Sequence, residues 1–164
     1  KRQISTGVLL DKVRHFVVKT LSKEQRSVKD GMDISLCAYH HPSKQLQWSG
    51  ANNPLWLVRN GELTAYLPDK QPIGMYDNAL PFTTHQVQLE ASDLIILFTD
   101  GYADQFGGPK GKKYKYAPLK ELIVSNAGIP AKELGLVLEE TFLAWKGDHE
   151  QTDDVCVMAI RIND

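Results

Sequence analysis

The most constraining feature of the sequence is the apolar run Leu94–Thr99, which ends abruptly in acidic residues. Leu-Ile-Ile-Leu-Phe lacks the alternation of polar and apolar side chains typical of a half-exposed strand, so it predicts a central strand covered on both faces. Asp100 and Gly101 follow directly, and Asp104 comes shortly after them. The 164 residues of the chain are enough for one domain with a core that could cover such a strand.

The segments around this run predict short strands and amphipathic helices without internal repeats. Strands are predicted at Asp33–His40, Gln45–Ser49, Leu55–Arg59, Glu62–Leu67, His85–Glu90, Leu94–Thr99 and Val155–Ile162, and helices at Thr6–Leu21, Leu119–Ser125 and Pro130–Trp145. The first four strands are predicted to form an antiparallel meander, with Asn60-Gly61 as a type I′ hairpin turn. Helices grouped towards the ends of the chain favour an α+β fold over a doubly wound parallel sheet.

Composition limits the classes of function and location. The formal net charge of −1 gives no global attraction to nucleic acid or to an anionic membrane surface. No apolar stretch is long enough to span a bilayer, and the N-terminus lacks the pattern of a signal peptide, so we expect a cytoplasmic protein. Cys37 and Cys156 lie in apolar strand-like runs and are predicted to be buried free thiols.

A second acidic stretch later in the sequence suggests a role for the acidic residues that follow the apolar run. Asp100 follows one predicted buried strand, and Asp153 precedes another. If these strands pair antiparallel, the two carboxylates meet at one rim of the sheet, where they repel each other unless a cation lies between them. Neither motif contains Lys or Arg, which leaves a hard divalent ion such as Mg²⁺ or Mn²⁺. A glycine at position 101 would let the backbone approach that ion closely.

Ordinary explanations stay open beside this one. Asp-Gly after a strand is commonly only a turn, and an acid before a strand is often a solvated boundary. The segment Gly107–Pro118 is rich in Gly and Lys, but its spacing does not match a phosphate-binding P-loop. We expect a mobile surface loop there. A lysine patch that contacts a phosphoprotein substrate is the alternative, because the segment directly follows the acidic motif.

Five stretches occur in an order that is known from one enzyme family: DGMDISLCAY, WSGANNPLWLVRNGEL, QPIGM, LEASDLIILFTDGYAD and QTDDVCVMAIRI. Together they extend over nearly all of the chain from Asp30 onward. The sequence resembles the catalytic domain of SpoIIE-like (RsbU-like) protein serine phosphatases, a bacterial branch of the type 2C metal-dependent phosphatases. The resemblance implies an αββα sandwich of mainly antiparallel sheets flanked by helices, here lacking its N-terminal strands.

The resemblance also implies roles for particular residues. In this family the Asp of the TDG stretch and the first Asp of the D-D stretch bind the active-site metals, which corresponds here to Asp100 and Asp153. Asp104 would orient a water molecule, Asp154 would either support a ligand or cap the chain, and Gly101 would lie next to the metal. Two ions, Mn²⁺ or Mg²⁺, are expected in the complete domain. The sequence identifies no substrate-binding residues.

The implied reaction is hydrolysis of phosphoserine or phosphothreonine in a regulatory protein of the anti-anti-sigma type, by a domain that follows sensor or receiver domains. Two departures bear on this expectation. The D-x-x-G-H-G stretch of the family is missing before Thr6, and Cys156 replaces a usual Thr. Residues 1–164 are therefore interpreted as one N-terminally truncated phosphatase domain of a longer protein that binds metal weakly and is inactive alone. The alternative is a non-catalytic pseudophosphatase that acts as a protein-interaction or sensor-output module.

Overall fold

The structure, a computed structural model, describes residues 4–21 and 31–163, so the polar break at Lys23–Lys29 and Asp30 lie outside the described residues. Its helices and strands are, in chain order, α1 (Thr6–Leu21), β1 (Gly31–Met32), β2 (Ile34–His40), β3 (Gln45–Ala51), β4 (Leu55–Arg59), β5 (Glu62–Tyr66), β6 (Ile73–Gly74), β7 (His85–Gln88), β8 (Leu94–Phe98), α2 (Gly101–Asp104), β9 (Phe106–Gly107), β10 (Lys112–Lys113), α3 (Tyr116–Ser125), α4 (Ala131–Lys146) and β11 (Val157–Arg161). The pairs β1–β6, β2–β3, β3–β7, β8–β11 and β9–β10 are antiparallel, which agrees with the predicted α+β class. Within the described ranges, no helix is long and apolar enough to cross a membrane.

The chain divides into two compact units, and the first consists of Lys1–Leu55 with Tyr66–Leu89. Its main sheet has the strand order β2-β3-β7, and β1 pairs separately with β6. Helix α1 has the bounds predicted from the spacing of its apolar residues. Its buried Leu10 packs with Ala51, Ile73 and Phe82, because the apolar stripe of an amphipathic helix needs a hydrophobic partner surface.

The second unit consists of Trp56–Ala65 with Glu90–Asp164 and contains a four-stranded sheet in the order β11-β8-β4-β5. Strand β8 is an inner strand of this sheet, and four of its five residues are buried. This confirms the prediction from the unbroken apolar run. The core of the unit also takes its buried side chains from β4, α3 and α4, namely Trp56, Val58, Leu119, Ile123, Leu134, Leu138 and Phe142.

The predicted four-strand meander is wrong, because β3 and β4 belong to different sheets. A tight turn separates them: Asn52 has a positive φ of 59°, and the N–H of Asn53 donates to the carbonyl of Ala51 (2.7 Å). Pro54, which has no N–H to donate to a strand ladder, follows. The hairpin prediction for β4 and β5 is confirmed, since Asn60 and Gly61 have φ of 51° and 79°, as a type I′ turn requires.

The two cysteines are free, as predicted, but their burial differs. Cys37 lies half-buried in β2, and burial raises the pKa of its thiol to about 11. Cys156 is exposed, so the prediction of a buried thiol is wrong there. It precedes β11, an edge strand whose alternate residues Met158 and Ile160 are exposed, and it continues that outward-facing series.

A buried ion pair closes the turn between β7 and β8. The carboxylate of Asp93, whose side chain is 1% exposed, accepts hydrogen bonds from Arg59 Nε (2.8 Å) and from a second guanidinium nitrogen (2.6 Å). It also accepts the backbone N–H of Glu90 (2.8 Å). Because a buried carboxylate is costly without partners, the turn depends on the guanidinium of β4 reaching Asp93.

We expect Arg59→Ala to lower the free energy of unfolding by about 3–5 kcal/mol, because it leaves the buried carboxylate of Asp93 without its countercharge. Urea unfolding followed by tryptophan fluorescence measures this loss. Glu90→Ala is the control, since Glu90 pairs with the same guanidinium but its side chain is 60% exposed, and its removal is expected to cost less than about 1 kcal/mol. Equal losses in the two variants would contradict the importance of the buried pair.

The thiols should also differ in reactivity. A pKa of about 11 leaves Cys37 almost entirely protonated at pH 8, so about one thiol in a thousand is the reactive thiolate. We expect a disulfide-exchange reagent to label Cys156 at least tenfold faster than Cys37 in the native protein, and Cys156→Ser to remove the fast phase. Two fast phases of equal rate would show that Cys37 is accessible and ionised.

Candidate metal centre

Strands β8 and β11 determine the position of the candidate metal centre. They pair antiparallel, with Phe98 opposite Val157 and Leu94 opposite Arg161. Asp100 lies just beyond the end of β8, and Asp153 lies shortly before the start of β11. The structure therefore confirms the predicted pairing, and the chain segments that carry the two acids lie at the same end of it.

The side chain of Thr99 links these two segments. The N–H of Thr99 donates to the carbonyl of Cys156 (3.0 Å), which extends the strand pairing by one step. Its Oγ1 accepts the N–H of Cys156 (3.0 Å) and donates to the carbonyl of Asp154 (2.8 Å). One hydroxyl thus uses both its donor and its acceptor capacity to hold the Asp154 backbone beside Asp100. Sequence reasoning gave Thr99 no role.

Gly101 is required by close packing between the same two segments. A Cβ at this position would lie 2.4 Å from the carbonyl oxygen of Asp154 and 3.3 Å from that of Asp153. We predicted that this glycine lets the backbone approach an ion. The close approach that the structure shows is to the backbone of the Asp153–Asp154 segment, where a methyl group has no room.

The four acidic residues named from the sequence differ in their surroundings. Asp100, Asp153 and Asp154 are exposed, whereas Asp104 is half-buried at the end of α2. One carboxylate oxygen of Asp153 accepts the N–H of Asp154, the next residue in the chain (2.7 Å). Asp154 contributes through its backbone carbonyl to the bond with Thr99. The carboxylates of Asp100 and Asp153 are accessible to a ligand from solvent.

Sequence reasoning missed two groups near these acids. Lys113, on β10, forms an ion pair with Asp104 (Nζ to Oδ2, 2.9 Å), so a cation reaches this site from outside the acidic motifs. Burial, with smaller contributions from the charges of Asp100 and Asp104, raises the pKa of Tyr116. Its ring lies 6.1 Å from that of Phe98 at the end of β8, with an angle of 53° between the ring planes. The only sequence signal for either residue was the lysine-rich segment that follows Asp104.

Gln105 is a further residue that was missed, and it is fully buried. Its Nε2 donates to the carbonyl of Glu150 (2.9 Å), and its Oε1 accepts the N–H of Thr152 (3.1 Å). A buried amide that bonds two backbone groups fixes the segment that leads into Asp153. The segment before Asp153 is thus attached to Gln105, directly after α2, and the segment after Asp153 is attached to Thr99, directly after β8.

The chain matches the model of one protein family over nearly all of its length. The family model described as Stage II sporulation protein E (SpoIIE) matches residues 1–163. The chain belongs to the SpoIIE family. No curated protein is significantly similar to it in sequence.

Solved structures share the fold of this SpoIIE-family domain. The SiaA-PP2C domain of Pseudomonas aeruginosa matches with a TM-score of 0.74 at 20% identity, over 95% of this chain and 70% of that one. The phosphatase domain of the cell fate determinant SpoIIE from Bacillus subtilis, presoaked with Mn, matches with a TM-score of 0.64 at 16% identity, over 99% and 76%. The RsbU and RsbW domains of Rv1364c from Mycobacterium tuberculosis match with a TM-score of 0.68 at 20% identity, over 95% and 46%. The predicted PP2C-type fold is confirmed.

The candidate metal donors at this site are oxygen atoms. Among residues 4–21 and 31–163, no three His, Cys, Asp or Glu side chains are placed to hold one metal together. Asp100 and Asp153 supply two exposed carboxylates. This set fits Mg²⁺, which is usually held by one or two carboxylates together with water and substrate phosphate, and it fits Mn²⁺ on the same chemical grounds.

The packing around Gly101 leads to a stability prediction. We expect Gly101→Ala to lower the free energy of unfolding by about 1–3 kcal/mol, because the added methyl group displaces the Asp153–Asp154 backbone. The matched control is Gly135→Ala in α4, where a Cβ meets no atom within 4 Å. That variant should gain up to about 1 kcal/mol from helix propensity. Urea unfolding of both variants tests the prediction, and a neutral Gly101→Ala would show that the two segments are not tightly packed.

Proposed function

We propose that this SpoIIE-family domain hydrolyses phosphoserine or phosphothreonine in a regulatory protein, in a reaction that depends on Mn²⁺ or Mg²⁺. Asp100 and Asp153 are the proposed metal ligands. The observation that carries the proposal is the linkage through Thr99, which holds the Asp154 backbone beside the end of β8 (2.8 Å). Membership of the SpoIIE family and a fold shared with PP2C-type phosphatase domains support the reaction class.

Each acidic residue has a separate part in this proposal. Asp100 and Asp153 would hold the metal, with Gly101 and Asp154 forming the packed backbone that keeps them together. Asp104 would orient a water molecule, and its ion pair with Lys113 (2.9 Å) fixes the carboxylate that would do so. When bound, the metal ions would offset the charge of the phosphate group and lower the pKa of the attacking water.

The exposure of the carboxylates agrees with a protein substrate. Asp100 and Asp153 lie at the surface, where the phosphorylated residue of another protein can reach them without entering a deep pocket. One similar structure holds RsbU and RsbW domains of a single protein. This supports a regulatory protein as partner, and we propose that the domain acts behind sensor or receiver domains in its signalling pathway.

The described residues supply two of the carboxylates that the family pattern uses. We therefore propose that residues 1–164 alone bind Mn²⁺ weakly and turn over little phosphoprotein. A non-catalytic pseudophosphatase stays the alternative function. The full-length protein distinguishes the two: the enzyme should hydrolyse a phosphoserine peptide only with Mn²⁺ or Mg²⁺, and the pseudophosphatase should not hydrolyse it with either.

Metal binding to residues 1–164 gives a prediction that does not depend on turnover. We expect Asp100→Asn and Asp153→Asn each to weaken Mn²⁺ binding at least tenfold, about 1.4 kcal/mol, because each removes a charged oxygen ligand. Water-proton relaxation during a Mn²⁺ titration measures the affinity. Asp77→Asn, which removes an exposed carboxylate of the first unit, should leave it unchanged.

One result would count against the ligand assignment, and another would count against the expected inactivity of residues 1–164. Unchanged Mn²⁺ affinity in both Asp100→Asn and Asp153→Asn would exclude these residues as ligands. Strong Mn²⁺-dependent hydrolysis by residues 1–164, abolished by Asp100→Asn, would confirm the ligand but contradict the expected inactivity of this segment. Cys156→Ser should not change hydrolysis by the full-length protein, because the proposed reaction uses no cysteine nucleophile.

A further inference from the structure

Five lysines follow the acidic motif without any acidic residue among them. They are Lys110, Lys112, Lys113, Lys115 and Lys120, between Asp104 and Glu121, and we call them the lysine strip. All five are exposed. The chain has a formal net charge of −1, but these lysines form a local cluster of positive charge. Such a cluster makes the electrostatic potential at that part of the surface more positive.

Backbone hydrogen bonds hold the segment that carries the lysine strip. Strands β9 and β10 pair within it, and the N–H of Gly108 donates to the carbonyl of Trp145 (2.8 Å). The N–H of Lys115 donates to the carbonyl of Ala103 (2.7 Å), next to a buried Tyr114. A partner that binds this surface therefore has little backbone to order, which favours binding.

The lysine strip lies next to the candidate metal centre. Lys113 contacts Asp104 directly, with 2.9 Å between Nζ and Oδ2. At the other end, the ammonium of Lys120 lies 5.3 Å from the centre of the Trp56 ring. Trp56 in turn packs on Phe98, the last residue of β8, with 4.3 Å between ring centres. Positive charge therefore extends along the surface beside the strand end that carries Asp100.

The fold accounts for some of these charges but not for all of them. In the part of the chain that the structure describes, Lys113 is the one member of the lysine strip with an ion pair. Lysines on an edge strand can protect it from pairing with other chains, which accounts for Lys112 and Lys113 on β10. Lys120 lies over the ring of Trp56. Neither explanation applies to Lys110 and Lys115, which lie outside the strands.

Lys115 has a backbone conformation that disfavours any residue except glycine. Its φ is 76° and its ψ is 160°, a region that is essentially restricted to glycine. Glycine would relieve the strain at this position, yet the chain places a charged side chain there. Strained residues that persist in this way are concentrated at functional sites.

We infer that the lysine strip is a docking surface for the acidic face of the phosphoprotein substrate. Acidic residues flanking the phosphoserine would bind the lysines and so place the phosphate at the rim of Asp100 and Asp153. This inference rests on the proposed function and adds the class of substrate: a phosphoserine or phosphothreonine in an acidic segment. Charge complementarity and direct continuity with the candidate metal centre favour this partner.

Binding of two labelled phosphoserine peptides to residues 1–164, followed by fluorescence anisotropy without metal, tests the inference. One peptide has Asp and Glu flanks and the other has Gln and Ala flanks. We expect the acidic peptide to bind at least fivefold more tightly at low salt, and 0.5 M NaCl to remove the difference by screening. Lys110→Gln, Lys112→Gln and Lys115→Gln combined should also remove it. The matched control combines Lys12→Gln, Lys70→Gln and Lys132→Gln, three exposed lysines that are not part of the strip, and should retain the difference.

A single variant separates docking from stability. Lys115→Gly should raise the urea midpoint of unfolding, because it relieves the strained backbone, and should weaken binding of the acidic peptide about twofold to threefold. A variant that lost binding through misfolding would show a lower midpoint instead. Equal binding of the acidic peptide by Lys115→Gly and by the unaltered chain, together with equal binding by the triple variant, would overturn the inference.

The remaining outcomes are also decisive. Tighter binding of a single-stranded RNA or of phosphatidylserine vesicles than of the acidic peptide, lost in the triple variant, would assign the lysine strip to a different partner. A retained preference for the acidic peptide with no metal-dependent hydrolysis by the full-length protein would overturn the proposed function and leave the docking surface intact. Hydrolysis without any preference between the peptides would do the reverse.

Discussion

The arrangement of the second unit depends on the hydrogen bonds that Thr99 makes where β8 ends. Its hydroxyl accepts the N–H of Cys156 and donates to the carbonyl of Asp154, so strand pairing continues as a side-chain contact beyond the last paired residues. The backbone at Gly101 and Asp154 can then approach so closely that a methyl group has no room. Because β8 is a buried inner strand, the core holds the end of β8 and the residues attached to it in fixed positions.

Local patterns in the sequence predicted local structure well. The helix at Thr6–Leu21 and the strand at Leu55–Arg59 have the predicted bounds, since each is specified by its own periodicity. The type I′ turn at Asn60-Gly61 is specified by two residues that accept positive φ. The meander prediction failed because the choice of sheet partner is made between distant segments: β4 pairs with β8, more than thirty residues later, and not with β3. The pattern of residues within a strand does not indicate which strand it pairs with.

The candidate metal centre shows the same limit. The positions of Asp100 and Asp153 could be predicted because two strand ends and one antiparallel pairing suffice to bring them together. Lys113 and Gln105 could not, because their roles exist only as contacts with Asp104 and with the backbone of Glu150 and Thr152. The prediction of a metal ion considered only basic residues that lie within the acidic motifs. The β9–β10 hairpin brings Lys113 from outside those motifs to Asp104.

The segment from Gly107 to Lys115 shows how such a hairpin can conflict with local preference and still persist. Lys115 adopts a backbone conformation that is essentially restricted to glycine, with a φ of 76° and a ψ of 160°. Strain of this kind costs on the order of 1–3 kcal/mol, and several like charges on one surface add repulsion. The buried Tyr114 and the core beneath it can bear that cost, because interactions at fixed positions over-determine the hairpin. Glycine at position 115 would remove part of this backbone strain. The chain has a lysine there instead, beside the acidic rim, although the strain lowers its stability. This indicates that the positive charge of Lys115 serves to bind a partner.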